Sequence, residues 1–242
     1  MNRTRAGLLA AVSSLALVSP VVAADMPLKA RPPVVVAPSW AGAYIGASVG
    51  AVWHELEYAD LPTGGGGPTA DGRKVGIIGG GHIGYNWQSN NFVFGVEADI
   101  SGSSAKVTLR PFGTAPDNET DTSRLHWLAT FRARAGVTVG SGNTLVFATG
   151  GLALGGVENS RLFPPAAFIN PPEVGEGKAT RVGWVAGGGI EHMLTRNWIV
   201  RAEALYVDLG SETVVGPPPN TNYRTKFTNT DVIARGAVLF KW

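Results

Sequence analysis

The sequence predicts an all-β protein, an eight-stranded antiparallel up-and-down transmembrane β-barrel. Three observations predict it. Alternating apolar and polar residues recur along most of the 242 residues, and period two belongs to strands whose two faces meet different environments. The connections alternate between tight turns and long polar stretches, so short turns lie on one side and four long loops on the other. The final stretch, 231–242, ends on an apolar face at Trp242. A soluble strand ending so would invite aggregation, whereas a barrel strand turns that face to lipid and sets an aromatic residue at the interface.

The chain divides into three parts. Residues 1–24 read as a signal peptide: Arg3 and Arg5 open it, an apolar core runs over 6–18, and Val22, Ala23 and Ala24 form a small-residue cleavage site after about Ala24. The apolar core is shorter than the ~20 residues of a membrane helix. Residues 25–39 hold Pro27, Pro32, Pro33 and Pro38 and read as an extended Pro-rich tether. The barrel domain occupies 40–242.

Eight strands are expected at 41–57, 74–88, 91–104, 123–139, 143–157, 179–193, 197–210 and 227–242, each longer than the ~9–11 residues needed to cross. Residues 89–91, 140–143 and 194–197 form the tight turns. Residues 58–73, 105–122, 158–178 and 211–226 form the loops. The uncharged run 135–157 has the length of a membrane helix, but Gly140, Ser141, Gly142 and Asn143 break it into a hairpin. All 16 prolines fall in the signal, the tether or a long loop, outside strand interiors where each would remove a ladder bond.

Charge decides which face is inside. On the third strand Phe92, Phe94, Val96, Ala98 and Ile100 oppose Glu97, Asp99, Ser101 and Ser103. On the fourth, Leu125, Trp127, Ala129, Phe131, Ala133 and Val137 oppose His126, Thr130, Arg132, Arg134 and Thr138. The seventh and last strands repeat the division. A lumen charge network of Glu97, Asp99, Arg132, Arg134, Glu191, Arg201, Glu203, Arg235 and Lys241 therefore faces inward, where acids and bases pair. Gly80, Gly84, Gly187 and Gly189 are expected to leave space beside it.

Several chemistries are excluded. Of 20 Lys and Arg, Arg3 and Arg5 fall in the signal, leaving 18 against 18 acids; no basic run supports a nucleic-acid partner. Cysteine is absent, which removes disulfides and thiol catalysis. Residues 79–84 satisfy G-x-G-x-x-G, but a turn and strand follow instead of the helix a dinucleotide requires. Gly64 to Gly67 lack the Lys-Ser/Thr of a phosphate loop. His54, His82, His126 and His192 show no metal-ligand spacing, and no Ser/His/Asp arrangement stands out. No enzyme activity, cofactor or metal is expected.

Taken together, SWAGAYIG (39–46), GGGHIGYNWQ (79–88), FVFGVEAD (92–99) and RAEALYVDLG (201–210) resemble the small outer-membrane β-barrel proteins of alphaproteobacteria. These are the porin-family or outer-membrane immunogenic proteins, with OmpA-like or opacity-type barrels. The resemblance implies the outer membrane of a Gram-negative bacterium, periplasmic turns and extracellular loops. It also implies a C-terminal assembly signal, here Val238, Phe240 and Trp242, read by the outer-membrane assembly machinery; Trp242 stands where the family usually has Phe. The expected function is non-enzymatic: envelope structure and loop-mediated surface interaction. The alternative is a narrow low-conductance porin for small solutes or ions. Expected partners are outer-membrane lipids and lipopolysaccharide, the assembly machinery and an extracellular ligand on loops carrying Phe163, Phe168 and Tyr223. A monomer is expected because no outer strand face is unusually polar.

Overall fold

With no water in a bilayer to satisfy a bare peptide group, strands can cross only if every edge is paired, and closure is the single arrangement that leaves none. A computed structural model describes residues 38–60, 69–109, 120–163, 173–215 and 224–242. Its strands are β1 (Gly42–Asp60), β2 (Thr69–Ser89), β3 (Phe92–Ser103), β4 (Lys106–Leu109), β5 (Thr120–Val139), β6 (Thr144–Phe163), β7 (Glu173–Met193), β8 (Trp198–Val215) and β9 (Arg224–Lys241). Apart from β3 and β4, consecutive strands pair antiparallel, and β9 returns to β1 from Tyr44↔Lys241 to Asp60↔Thr225. Both β3 and β4 pair with β5. They are two pieces of one stave, so the closed sheet has eight. The signal, residues 25–37 of the tether, Gly64 to Gly67, Phe168 and Tyr223 lie outside the described residues.

The staves are longer than the alternation alone predicts. β2, β5, β6 and β7 run for 20 or 21 residues, about twice a membrane crossing. The added length lies on the long-loop side, where the sequence's apolar alternation fades. The third stave is also broken, at Ser104 and Ala105. Ser104 turns back onto Ile77, its N–H and hydroxyl both bonding that carbonyl while its oxygen accepts from the Ile77 amide at 2.9 Å.

The faces divide as charge dictates, with two corrections at one point of β5, where His126, expected inside, faces outward beside Glu158. Phe92, Phe94, Ile100, Phe131, Val238 and Trp242 are exposed to the surroundings, whereas Glu97, Asp99, Arg132 and Arg235 are buried. Leu125, expected outside, is fully buried inside. A β-bulge at His126 shifts the register between Leu125 and Trp127, and one extra residue inverts the parity of everything beyond it.

The interior is layered, which β9 shows in miniature. Leu239 and Ala237 join Trp40, Tyr44, Val93, Leu145 and Phe147 in an apolar plug at the turn end. Arg235 belongs to the charged layer above. Ile233 lies in a second apolar layer with Val52, Ile78, Leu125, Leu128 and Leu205. Asp231 and Asn229 are buried polar groups, and Phe227 packs with Leu56 and Val107 over them. The plug is tied to the turns: the Trp40 amide donates to Gln88 at 2.7 Å and its indole to the Gly142 carbonyl at 2.8 Å.

The inward glycines do not leave open lumen. A methyl on Gly84 would lie 2.4 Å from the Tyr44 ring, and one on Gly187 2.9 Å from Leu205 Cδ2. Gly84→Ala is expected to destabilise the barrel by about 1–3 kcal/mol through overpacking. Gly102→Ala, where a methyl meets open space, is expected to stay within about 0.5 kcal/mol of the parent. Urea unfolding, followed by the heat-modifiable gel band, compares the two.

Candidate functional site in the barrel lumen

Register brings the inward charges to one level. β3 pairs with β5 through Glu97↔Arg132 and Asp99↔Thr130. β7 pairs with β8 through Glu191↔Arg201, and β8 with β9 through Glu203↔Arg235. Each strand thus alternates charge with small outward residues such as Ala98, Ala133, Ala202 and Ala204, and neighbouring strands offer opposite signs.

The charges then meet across the lumen. Arg132 bonds Glu97, lies 3.0 Å from Asp99 and reaches Glu203 at 3.1 Å. Arg201 holds Glu97 through both terminal nitrogens, at 2.6 and 2.9 Å, and Glu191 through Nε at 2.7 Å. Arg134 pairs with Glu191 at 2.6 Å and donates to the Tyr44 hydroxyl at 2.9 Å. That hydroxyl donates to Glu97 at 2.6 Å. Arg235 grips Glu203 through Nε at 2.7 Å and Asp99 through Nη1 at 3.0 Å, and Thr130 also donates to Asp99. Below the layer, the Arg134 guanidinium lies 4.2 Å from the Phe147 ring centroid, a cation–π contact that caps the charges. Eight of the nine predicted charges form this cluster. Its four guanidiniums balance its four carboxylates.

Lys241 is not among them. It points inward near the turn end and donates to the Ala41 carbonyl at 3.3 Å. Its parity is that of Arg235, but three further pairs down the strand it falls below the apolar plug.

Two arrangements escaped the sequence. His82, Glu97 and Asp99 place their ligand atoms within 4.8 Å of one another. Both carboxylates are already held by arginines, and a dication would add net charge to a buried layer whose charges cancel. Higher up, Asp231 Oδ1 lies 2.7 Å from His54 Nδ1, and His54 Nε2 lies 3.0 Å from Ser123 Oγ. This corrects the expectation that Ser, His and Asp do not converge. Ser123 donates to Asn229 at 3.0 Å, and all three residues are fully buried. A substrate carbonyl has no approach to that hydroxyl unless the layers part. The signal available in sequence was parity combined with register: each member lies one or two inward positions above a residue of the charged cluster or the apolar layer.

The other histidines are on the outside. His192 accepts from or donates to Thr144 at 2.9 Å. His126, at the bulge, meets Glu158 at 2.8 Å, and Lys178 approaches the same carboxylate at 3.6 Å. These three lie beyond the outward Phe131, Leu152 and Trp184, above the apolar belt. The His126 hydrogen bond, aided by Lys178, holds the Glu158 carboxyl below the usual glutamate range.

The C-terminal residues Val238, Phe240 and Trp242 share the outer face at the turn end. Phe240 packs edge-on against Trp198 at 5.2 Å and stacks near Trp242 at 6.3 Å, part of an aromatic girdle at that interface.

A closed eight-stave barrel, apolar outside with an aromatic girdle at the turn end and charged within, defines an integral outer-membrane β-barrel protein. The chain belongs to the outer membrane protein beta-barrel domain family, which it matches over residues 9–234. It is therefore a protein of the Gram-negative outer membrane. It is 31% identical over 188 residues to the 31 kDa outer-membrane immunogenic protein of Brucella melitensis biotype 1, covering 73% of this chain and 74% of that one. The 22 kDa outer membrane protein of Rhizobium leguminosarum bv. viciae is 29% identical, with 74% of this chain and 69% of that one covered. Among solved structures, the outer membrane protease OmpT of Escherichia coli superposes with a TM-score of 0.50 at 10% identity, over 83% of this chain and 97% of that one; this likeness is one of fold alone.

Glu97→Gln leaves Arg201 and Arg132 buried and undercompensated, and is expected to cost about 3–5 kcal/mol. Lys241→Gln, outside the cluster, is expected to cost less than about 1 kcal/mol; urea unfolding in lipid vesicles separates them. Glu158 offers a pH test. A depressed folded pKa stabilises above the unfolded glutamate value, near ~4.3, and that contribution is lost as pH falls through the folded value. A carbon-13 titration in micelles is expected to place Glu158 below ordinary glutamate and to move it upward in His126→Ala.

Proposed function

We propose that the protein is a non-enzymatic envelope component, a filled and charge-locked barrel that anchors long loops at the cell surface for contact with external partners. The observation that carries this reading is the lumen. Between the Trp40 plug and the Phe227 layer, side chains from facing walls bond or pack with one another at successive levels. An aqueous channel belongs to barrels of ~16–18 strands, and here even the inward glycines are overlain by Tyr44 and Leu205. The buried Ser123 hydroxyl, sealed between apolar layers, supports the non-enzymatic part. A narrow conducting path is the competing reading, since the charged layer spans the lumen and ions could exchange along it.

Single-channel recording of refolded protein in a planar bilayer tests the choice. No conductance steps are expected, either from the parent or from Arg132→Gln. Reproducible steps whose ion selectivity changes with Arg132→Gln would replace the proposal with the porin. Ester hydrolysis by the parent, lost in Ser123→Ala, would replace it with an enzyme.

A further inference from the structure

The outer faces of β5, β6 and β7 carry a cleft that the lumen's chemistry leaves unused. Its volume is about 240 Å³, and His126, Trp127, Gly156, Lys178 and Thr180 line it. The bulge builds one wall, because the extra residue in β5 turns both His126 and Trp127 toward the outside. Gly156 forms the floor: it pairs with Trp127 on one side and Thr180 on the other, and the Trp127 indole lies where a Gly156 side chain would go. The rim is polar, made by the His126–Glu158 hydrogen bond and the mostly exposed Lys178.

We propose that this cleft binds the sugar headgroup of an outer-leaflet glycolipid. Size, chemistry and height support that occupant. The cavity equals roughly eight waters at ~30 Å³ each, the bulk of one six-membered ring with its substituents. An indole offers a flat apolar face to the C–H side of such a ring. Glu158, His126 and Thr180 offer both donors and acceptors to its hydroxyls, and Lys178 offers a cation to an attached phosphate. Height separates a lipid headgroup from a free sugar. The climb along β6 from Thr144 to Gly156, at ~3.3 Å per residue and ~40° tilt, lifts the cleft roughly 30 Å above the turn, just over an apolar band of ~25 Å. Directly below, Leu152, Leu154, Val182 and Trp184 are exposed and form the apolar track that acyl chains would follow. The inference is independent of whether the lumen conducts.

The test is native mass spectrometry of the refolded protein released from phosphatidylethanolamine vesicles prepared with or without purified lipopolysaccharide. One retained lipopolysaccharide per barrel is expected. Lys178→Gln is expected to lower its occupancy roughly fivefold, about the most an exposed ion pair contributes, and Trp127→Ala roughly tenfold or more, as for an aromatic anchor. Lys226→Gln, exposed on β9, serves as the remote-charge control and is expected to retain the lipid. Gly156→Val, which displaces the indole without removing it, gives a second disabled cleft, and the heat-modifiable band verifies folding of every variant. Equal retention by parent, Lys178→Gln and Gly156→Val would overturn the proposal. So would displacement of the lipid by glucosamine 1-phosphate at equal concentration, which would make the cleft a site for soluble sugar.

Discussion

Eight staves set a lumen so narrow that side chains from opposite walls must touch, and the interior is built under that constraint. Arg235 of β9 reaches Asp99 of β3, Arg201 of β8 reaches Glu97 of β3, and Arg132 of β5 reaches Glu203 of β8. Charges brought this close in a dry space are costly unless every partner is present. Interleaving the signs around the wall supplies those partners, and planar guanidiniums, each bonding several carboxylates, tie strands that share no backbone ladder. The apolar layers on either side keep water from competing for those bonds and so strengthen them. They also give the barrel a core in the ordinary sense, although it is enclosed by the sheet rather than lying beneath it.

The separation of inside from outside was legible because period two and charge are both local properties. Phe92, Phe94 and Ile100 on one side, and Glu97 and Asp99 on the other, need no tertiary information to be sorted. The tight turns were equally plain from Gly140, Gly142 and Asn90, which adopt positive φ. What local reading missed depends on pairing. A single extra residue at His126 sent Leu125 inward, and nothing in the strand's composition marks a bulge. Lys241 shares the parity of Arg235 but sits at another height, and height follows from shear around the barrel rather than from any one strand. The His54–Asp231–Ser123 cluster joins three strands distant in sequence, so it becomes visible only when register is known. The upper ends of β2, β6 and β7, five or six residues each, were read as loop because outside the membrane a strand need not be apolar on either face.

Inner and outer surfaces have different tolerances as a result. Inside, each residue is constrained by groups from across the lumen, and changes of size or charge propagate through the cluster. Outside, Ile83, Phe94, Phe131 and Leu152 are exposed on the apolar belt, and against lipid one apolar residue serves nearly as well as another. The bulge is the exception. It breaks the regular outer pattern at one height, and there the wall acquires a cleft with a polar rim.

The pairing of β1 with β9 has a consequence for how the protein comes into being. The first strand's partner is the last barrel strand in chain order, and the Trp242 amide bonds the Ala43 carbonyl. Until the final stave arrives, Gly42 to Asp60 carries a full row of bare donors and acceptors, as does the strand waiting at the other margin. A sheet lacking that last stave is therefore an open ribbon with two adhesive borders. Closure thus joins the first barrel strand to the last, the pair farthest apart in sequence.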